Sequence, residues 1–163
     1  MSTTFSGPIN STSGFQQNSV PISQPAVTVT GSTVSITSAT HAGAMVILDR
    51  AAGIAVTLPA ATGSGAVFKF YVKTAVTSNS TTIKVANSSD TMNGWVSTAT
   101  TTAGAGLQEA AGGTDDTITM NGTTTGGLAG SYVEAIDIAA NVWNVFGALT
   151  GSGTLATSLS ATV

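Results

Sequence analysis

The chain contains no cysteine. Disulfides, thiol nucleophiles and Cys-ligated zinc or iron–sulfur centres are therefore excluded. Charge is scarce too: Asp, Glu, Lys and Arg make up 7% of the residues, against about 25% in ordinary soluble domains. Four Lys and Arg spread over 163 residues cannot neutralise a phosphate backbone, which argues against nucleic-acid binding through a basic patch. There is one histidine, His41, and one arginine, Arg50. The longest apolar runs, such as residues 44–48, fall far short of the roughly 20 residues that cross a bilayer. Residues 1–15 are polar and lack the basic-then-apolar pattern of an export signal, so neither secretion nor a membrane anchor is expected.

Hydroxyl side chains fill the gap. Ser and Thr number 48 of 163, with 19 Gly besides, and the net charge is -3. A domain usually stays soluble through surface charge. A chain with so little is expected to have part of its surface covered by copies of itself or by a partner. The length suits one domain, large enough to bury a core without metal or disulfide.

Three of the four prolines, Pro8, Pro21 and Pro25, punctuate residues 1–25. Proline removes a donor and fixes φ, so this stretch is expected to be an extended arm. Phe5, Pro8, Ile9 and Phe15 are its candidate partner-binding residues, because a solvated tail has little use for two Phe. Residues 26–149 read as one all-β domain, and residues 150–163 as an extended tail. Val, Ile and Thr dominate the domain, as suits a pleated, half-buried surface.

The spacing predicts about nine or ten short strands in a single β-sandwich or barrel, jelly-roll-like. Residues 44–48 read as a strand buried on both faces. Residues 66–73 and 81–86 read as a hairpin, and residues 131–138 and 141–147 as another. Asn93-Gly94 and Asn121-Gly122 read as tight turns. Residues 98–113 are weakly patterned and read as a loop or a short irregular strand. No internal repeat is evident, so no solenoid is expected.

Catalytic chemistry finds no constellation. His41 lies in no recognisable triad, and no Ser sits in a G-x-S-x-G elbow. Asp49, Asp90, Glu109, Asp115, Asp116, Glu134 and Asp137 form no specific acid pair. Glu134 and Asp137 are expected on opposite faces of one strand. Asp115-Asp116 offers oxygen ligands for a cation, but without the spacing of a calcium loop it reads first as a turn. Gly63-Ser64-Gly65 and Gly104-Ala105-Gly106 open no helix and read as loops, not phosphate cradles. Arg50 is the candidate to pair a carboxylate or cap carbonyls at a turn. Trp95 and Trp143 are expected in the core. Four glycosylation-type triplets, beginning at Asn10, Asn79, Asn87 and Asn121, are attributed to the abundance of Ser and Thr. No catalytic site, cofactor or metal is expected.

Several stretches carry a resemblance. F-S-G-P-I-N-S-T-S-G-F at residues 5–15 looks like the start of small structural proteins of tailed bacteriophages. H-A-G-A-M-V-I-L-D-R-A-A-G-I-A-V-T-L-P-A-A-T-G-S-G-A-V-F-K-F at residues 41–70 resembles a recurrent virion block. It continues as V-T-S-N-S-T-T-I-K-V-A-N-S-S-D at residues 76–90, D-T-I-T-M-N-G-T-T-T-G-G at 116–127 and S-Y-V-E-A-I-D-I-A at 131–139. The chain is most similar to head decoration, or capsid cement, proteins. That resemblance implies a non-enzymatic homotrimer on the outer surface of the virion, made in the bacterial cytoplasm, whose arms bind the major capsid protein and bridge its copies. Avidity would then add up weak contacts. The competing expectation is a tail or head-fibre module that binds host glycans, for which a cluster of exposed aromatics or a longer chain with a shaft is the expected mark; the sequence shows neither.

Overall fold

Short β-branched runs separated by Gly, Asn and Pro leave the chain one way to bury its apolar residues: as alternating faces of strands. A computed structural model describes residues 16–17, 20–21, 25–101 and 104–163. In it the strands are β1 (Gln16–Gln17), β2 (Val20–Pro21), β3 (Val27–Val29), β4 (Thr33–Ser35), β5 (Met45–Leu48), β6 (Ala55–Thr57) and β7 (Val67–Val72). They continue as β8 (Thr81–Lys84), β9 (Thr91–Thr100), β10 (Gly106–Ala110), β11 (Thr117–Met120), β12 (Tyr132–Ala139), β13 (Val142–Gly151) and β14 (Leu159–Ser160). One helical turn, α1 (Ser38–His41), interrupts them.

A seven-stranded sheet, ordered β10-β9-β13-β12-β7-β5-β3, faces a five-stranded sheet, ordered β14-β11-β8-β6-β4, while β1 and β2 pair separately. The architecture is the all-β sandwich read from the sequence, with twelve strands in the two main sheets instead of nine or ten. The candidate arm residues Phe5, Pro8, Ile9 and Phe15 lie outside the described residues. The tail does not hang free: Leu159 and Ser160 pair with Ile118 and Thr117, so β14 closes one edge of the five-stranded sheet.

The core lies between the sheets. One aliphatic row crosses the whole five-stranded sheet: Val34, Val56, Ile83, Ile118 and Leu159 are register partners in turn. Facing it, the seven-stranded sheet supplies Phe68, Phe70, Val72, Val133, Val145 and Trp143, all buried. The rings of Phe68 and Trp143 lie 5.8 Å apart.

The winding of the first half departs from expectation. From β3 to β8, successive strands alternate between the two sheets, and each pairs in parallel with the strand two places on. The result is a short stack of three coils, each with one strand in either sheet. No repeat announces it, because each coil requires only inward apolar positions at period 2, not particular residues. Residues 66–73 and 81–86 are for the same reason not a hairpin: β7 and β8 belong to opposite sheets. Alternation shows which side chains point inward and is silent on which sheet receives them.

The hairpin of residues 131–138 and 141–147 is present as β12 and β13, with Asn141 at φ 62 in the turn and a register shift between Asp137 and Ala139. Asn121-Gly122 ends β11 as a turn. Asn93-Gly94 does not turn, but lies inside β9. Gly94 is there for a close approach: at φ +114, a Cβ on it would stand 2.0 Å from the Val145 carbonyl oxygen of β13. Within the stretch read as a loop or a short irregular strand, residues 106–110 take the second form, as β10 against β9.

Candidate functional site

The seven carboxylates were the natural candidates for chemistry. Each instead receives hydrogen bonds from its own chain, and six of them hold loops or segment ends. Asp137 is the strongest case. It points inward from β12, 3% exposed, opposite in face to Glu134 as expected. Its Oδ1 accepts the N–H of Thr62 at 2.9 Å and of Gly63 at 2.6 Å. Its Oδ2 accepts the N–H of Ser64 at 3.0 Å and the hydroxyls of Thr62 and Ser64 at 3.0 and 2.7 Å. Burial pushes this carboxyl up, but the donors from Ser64, Gly63 and Thr62 outweigh it and hold the group below its ordinary value. The Gly63-Ser64-Gly65 loop is therefore an anion cradle whose anion is the protein's own carboxylate.

The others follow the same pattern. Asp116 accepts the N–H groups of Thr162 and Val163 and the hydroxyl of Thr117. Asp115 accepts the Gly112 N–H at 2.6 Å. Glu109 reaches from β10 to both the N–H and the hydroxyl of Ser158. Asp90 accepts the Ala61 N–H and the Asn87 amide. Asp49 takes the Lys73 ammonium at 2.7 Å and the Thr74 hydroxyl, and Lys73 first and Thr74 second hold its pKa low. Asp115 and Asp116 thus bind loop and tail backbone, and no cluster of three or more His, Asp or Glu able to hold a metal occurs among the described residues.

His41 ends α1, 6% exposed, where Nδ1 accepts the Thr37 N–H at 3.1 Å. Arg50 caps a carbonyl, that of Thr30, at 3.3 Å. Among the described residues no helix is long and apolar enough to cross a membrane.

The exposed surface is where the two sheets differ. The outer rows of the five-stranded sheet are hydroxyl-rich: Thr33, Ala55, Thr82 and Thr119 in one, and Ser35, Thr57, Lys84, Thr117 and Ser160 in the next, of which Thr117 is buried and hydrogen-bonded to Thr162. The outer rows of the seven-stranded sheet carry aromatic and apolar side chains among polar ones. One runs Ala110, Trp95, Phe146, Glu134, Lys69, Met45. The next runs Gln108, Ser97, Ala148, Tyr132, Tyr71, Ile47.

Trp95 is thus not a core residue. It is 43% exposed and meets Phe146, 38% exposed, edge to face with centroids 4.5 Å apart. Trp143, fully buried, is in the core as expected. Alternation could have separated the two tryptophans, since Val96 and Thr98 point inward from β9 and Trp95 is out of phase with both. Residues 44–48 are likewise buried on one face only: Val46 and Leu48 point inward, while Met45 and Ile47 are half-buried on the outer face.

Around Trp95 the outer face is recessed. A pocket of about 350 Å³ is lined by Trp95, Gln108, Glu109 and Ala110. On the same face the Tyr132 hydroxyl donates to Glu134 at 3.0 Å. Burial first, and the Glu134 carboxylate second, push the Tyr132 phenol up to about 12.

No family model matches this chain, and no curated protein or solved structure matches it either.

Proposed function

We propose that this chain is a structural virion protein of a tailed bacteriophage, seated on the outer capsid surface, where it stabilises the shell by bridging major capsid proteins. The observation that carries the reading is the outer face of the seven-stranded sheet. Exposed Trp95, Phe146 and Tyr71, set among polar side chains on a rigid sheet, are suited to a protein surface. The sparse carboxylates support the reading as well, since each is engaged by a donor of its own chain. The resemblance of residues 41–70 and 76–90 to phage virion blocks supplies the biological setting, and the arm residues Phe5, Pro8, Ile9 and Phe15 supply the proposed contact with the capsid.

A second reading has a specific observation in its favour. Trp95 and Phe146 form an exposed aromatic cluster, and Gln108 and Glu109 line the recess beside Trp95. Aromatic faces flanked by polar groups suit sugar rings, and a host-glycan-binding tail or head-fibre module would use such a site.

Copy number per purified particle, measured by quantitative mass spectrometry against the major capsid protein, separates the two. A fixed ratio near one to one supports the capsid reading. A few copies per particle favours the glycan-binding module, and absence from particles overturns both. Deleting residues 1–25 tests the arm: capsid binding at undiminished affinity would remove it from the proposal.

A further inference from the structure

We infer that residues 155–163 are an exchangeable strand, and that their seat beside β11 accepts the same segment from a second copy of this chain. The inference uses the β10–β14 edge of the sandwich, not the outer face assigned to the capsid. It stands or falls apart from the capsid reading, since a chain absent from particles can still exchange its tail.

The seat holds the tail by backbone and side chain together. Thr119 and Asp116 donate their N–H groups to the carbonyls of Ser158 and Ser160, at 2.8 and 3.0 Å. Two carboxylates then take N–H groups of the tail. Glu109 accepts those of Ser158 and Leu159, and Asp116 accepts those of Thr162 and Val163 at 2.8 and 3.1 Å. The Ser158 hydroxyl donates to Glu109, and the Thr162 hydroxyl to that of Thr117. Leu159 completes the aliphatic row next to Ile118. An identical segment from another copy satisfies every one of these groups equally.

The seat stands without the tail. β8 pairs β11 along its other edge, β9 holds the strand that carries Glu109, and Val85 donates its N–H to the Asp116 carbonyl at 3.1 Å. The tail, in turn, is loosely joined. Gly153 and Thr154 are exposed, and Gly153 has φ 72 with nothing within 4 Å of an added Cβ. A recess of about 390 Å³ is lined by Gly153, Thr154 and Leu155 together with Ala105, Gly106 and Leu107. Leu159 is the one buried apolar side chain among residues 152–163, so withdrawal of the tail takes a single leucine from the core. Segments held in this way open at the low end of the local stability range.

Concentration decides between the chain's own tail and a neighbour's. A short flexible link keeps its own tail at an effective concentration of about 1 mM. Copies packed side by side in an assembly are at least as concentrated, and the exchanged form makes the same contacts as the unexchanged one. Head-to-tail exchange then ties each copy to the next.

The test exploits the absence of cysteine. Thr117 and Ser160 are register partners, at a spacing that suits a disulfide. Thr117→Cys and Ser160→Cys are made as separate full-length proteins, mixed one to one at about 1 mM and oxidised with glutathione disulfide. A covalent dimer carrying one of each is expected by intact mass spectrometry. Either variant alone is expected to give under about a tenth as much, because only the unlike positions meet in the seat. At about 10 µM the mixed dimer is expected to fall at least tenfold, since each tail then returns to its own seat. Adding Asp116→Asn to the S160C copy loosens the donated tail and is expected to raise the yield at least about threefold. Far-UV circular dichroism checks the fold. Should T117C fail to fold, a synthetic peptide of residues 155–163 with a photoreactive group in place of Ala161, added to the wild-type chain, carries the test, with cross-links expected on residues 109–118. No mixed dimer, an equal yield from one variant alone, a yield that ignores dilution, or peptide cross-links scattered over the chain would each overturn the inference.

Discussion

Ser64 donates both its backbone N–H and its hydroxyl to the same oxygen of Asp137, at 3.0 and 2.7 Å. The two residues are 73 positions apart. The contact fixes the loop between β6 and β7 onto the β12–β13 hairpin, and so ties the coiled first half of the chain to the second. Removing the carboxylate leaves several donors without their acceptor. Asp137→Ala is expected to lower stability by about 3 kcal/mol, the range for a buried charged acceptor. Urea unfolding at neutral pH checks it, and a loss under about 0.5 kcal/mol would mean that the loop re-forms its bonds elsewhere.

Acid should act through the same group. Asp137 and Asp49 both have pKa values held below the ordinary carboxyl value. A depressed carboxyl stabilises the fold above its unfolded pKa and loses that contribution as pH falls through its folded value. Unfolding midpoints measured from pH 5 downward are expected to hold until near the unfolded value and then drop. Asp137→Asn is expected to flatten part of that drop. An unchanged profile in the variant would assign the acid sensitivity to other groups.

Tyr132 sets the alkaline limit. Its phenol is raised from 10.0 to about 12. A group with a raised folded pKa stabilises the fold below its unfolded pKa, and that contribution is lost as pH climbs from about 10 through about 12. Phenolate absorbance should show a tyrosine that ionises near pH 12, and Tyr132→Phe should abolish that step. Glu134→Gln should bring the step down only part of the way, since burial is the larger cause.

Glycine substitutions should separate close approach from backbone conformation. A Cβ on Gly94 would stand 2.0 Å from the Val145 oxygen, whereas one on Gly104 meets nothing within 4 Å, and both residues have positive φ. Gly104→Ala is expected to cost about 1 kcal/mol for the conformation alone. Gly94→Ala must also separate β9 from β13 and is expected to cost more than about 3 kcal/mol. Thermal or urea unfolding of the two variants side by side decides it, and equal losses would refute the close-approach account.

The class of fold was legible because β-branched alternation is a local property, visible as A-V-T-V-T at residues 26–30 and T-I-T-M in β11. Partner choice was not. Val67–Val72 and Thr81–Lys84 carry the same inward pattern whether they pair with each other or face each other across a core. Gly94 was misread because Asn-Gly marks a turn only when the chain reverses there, and the approach of Val145 that explains it comes from 51 positions away. The loop roles of the acids were equally hidden. No short-range pattern links Glu109 to Ser158 or Asp116 to Thr162. Trp95 is different: the phase of its own strand placed it outward, and its bulk and apolarity argued the other way.

The alternating coils also set the order in which pairing becomes possible as the chain is made. Val46 waits 24 residues for its partner Phe70, and Val34 waits 22 for Val56. Trp95 waits 51 for Phe146. Closing a longer loop costs more entropy and takes longer. The early coils can therefore zip up on the ribosome one after another, while β9, aromatic and long, stays without its parallel neighbour until almost the whole chain has emerged. For that interval β9 has one edge open to the wrong strand, as β7 has while Tyr71 waits for Tyr132.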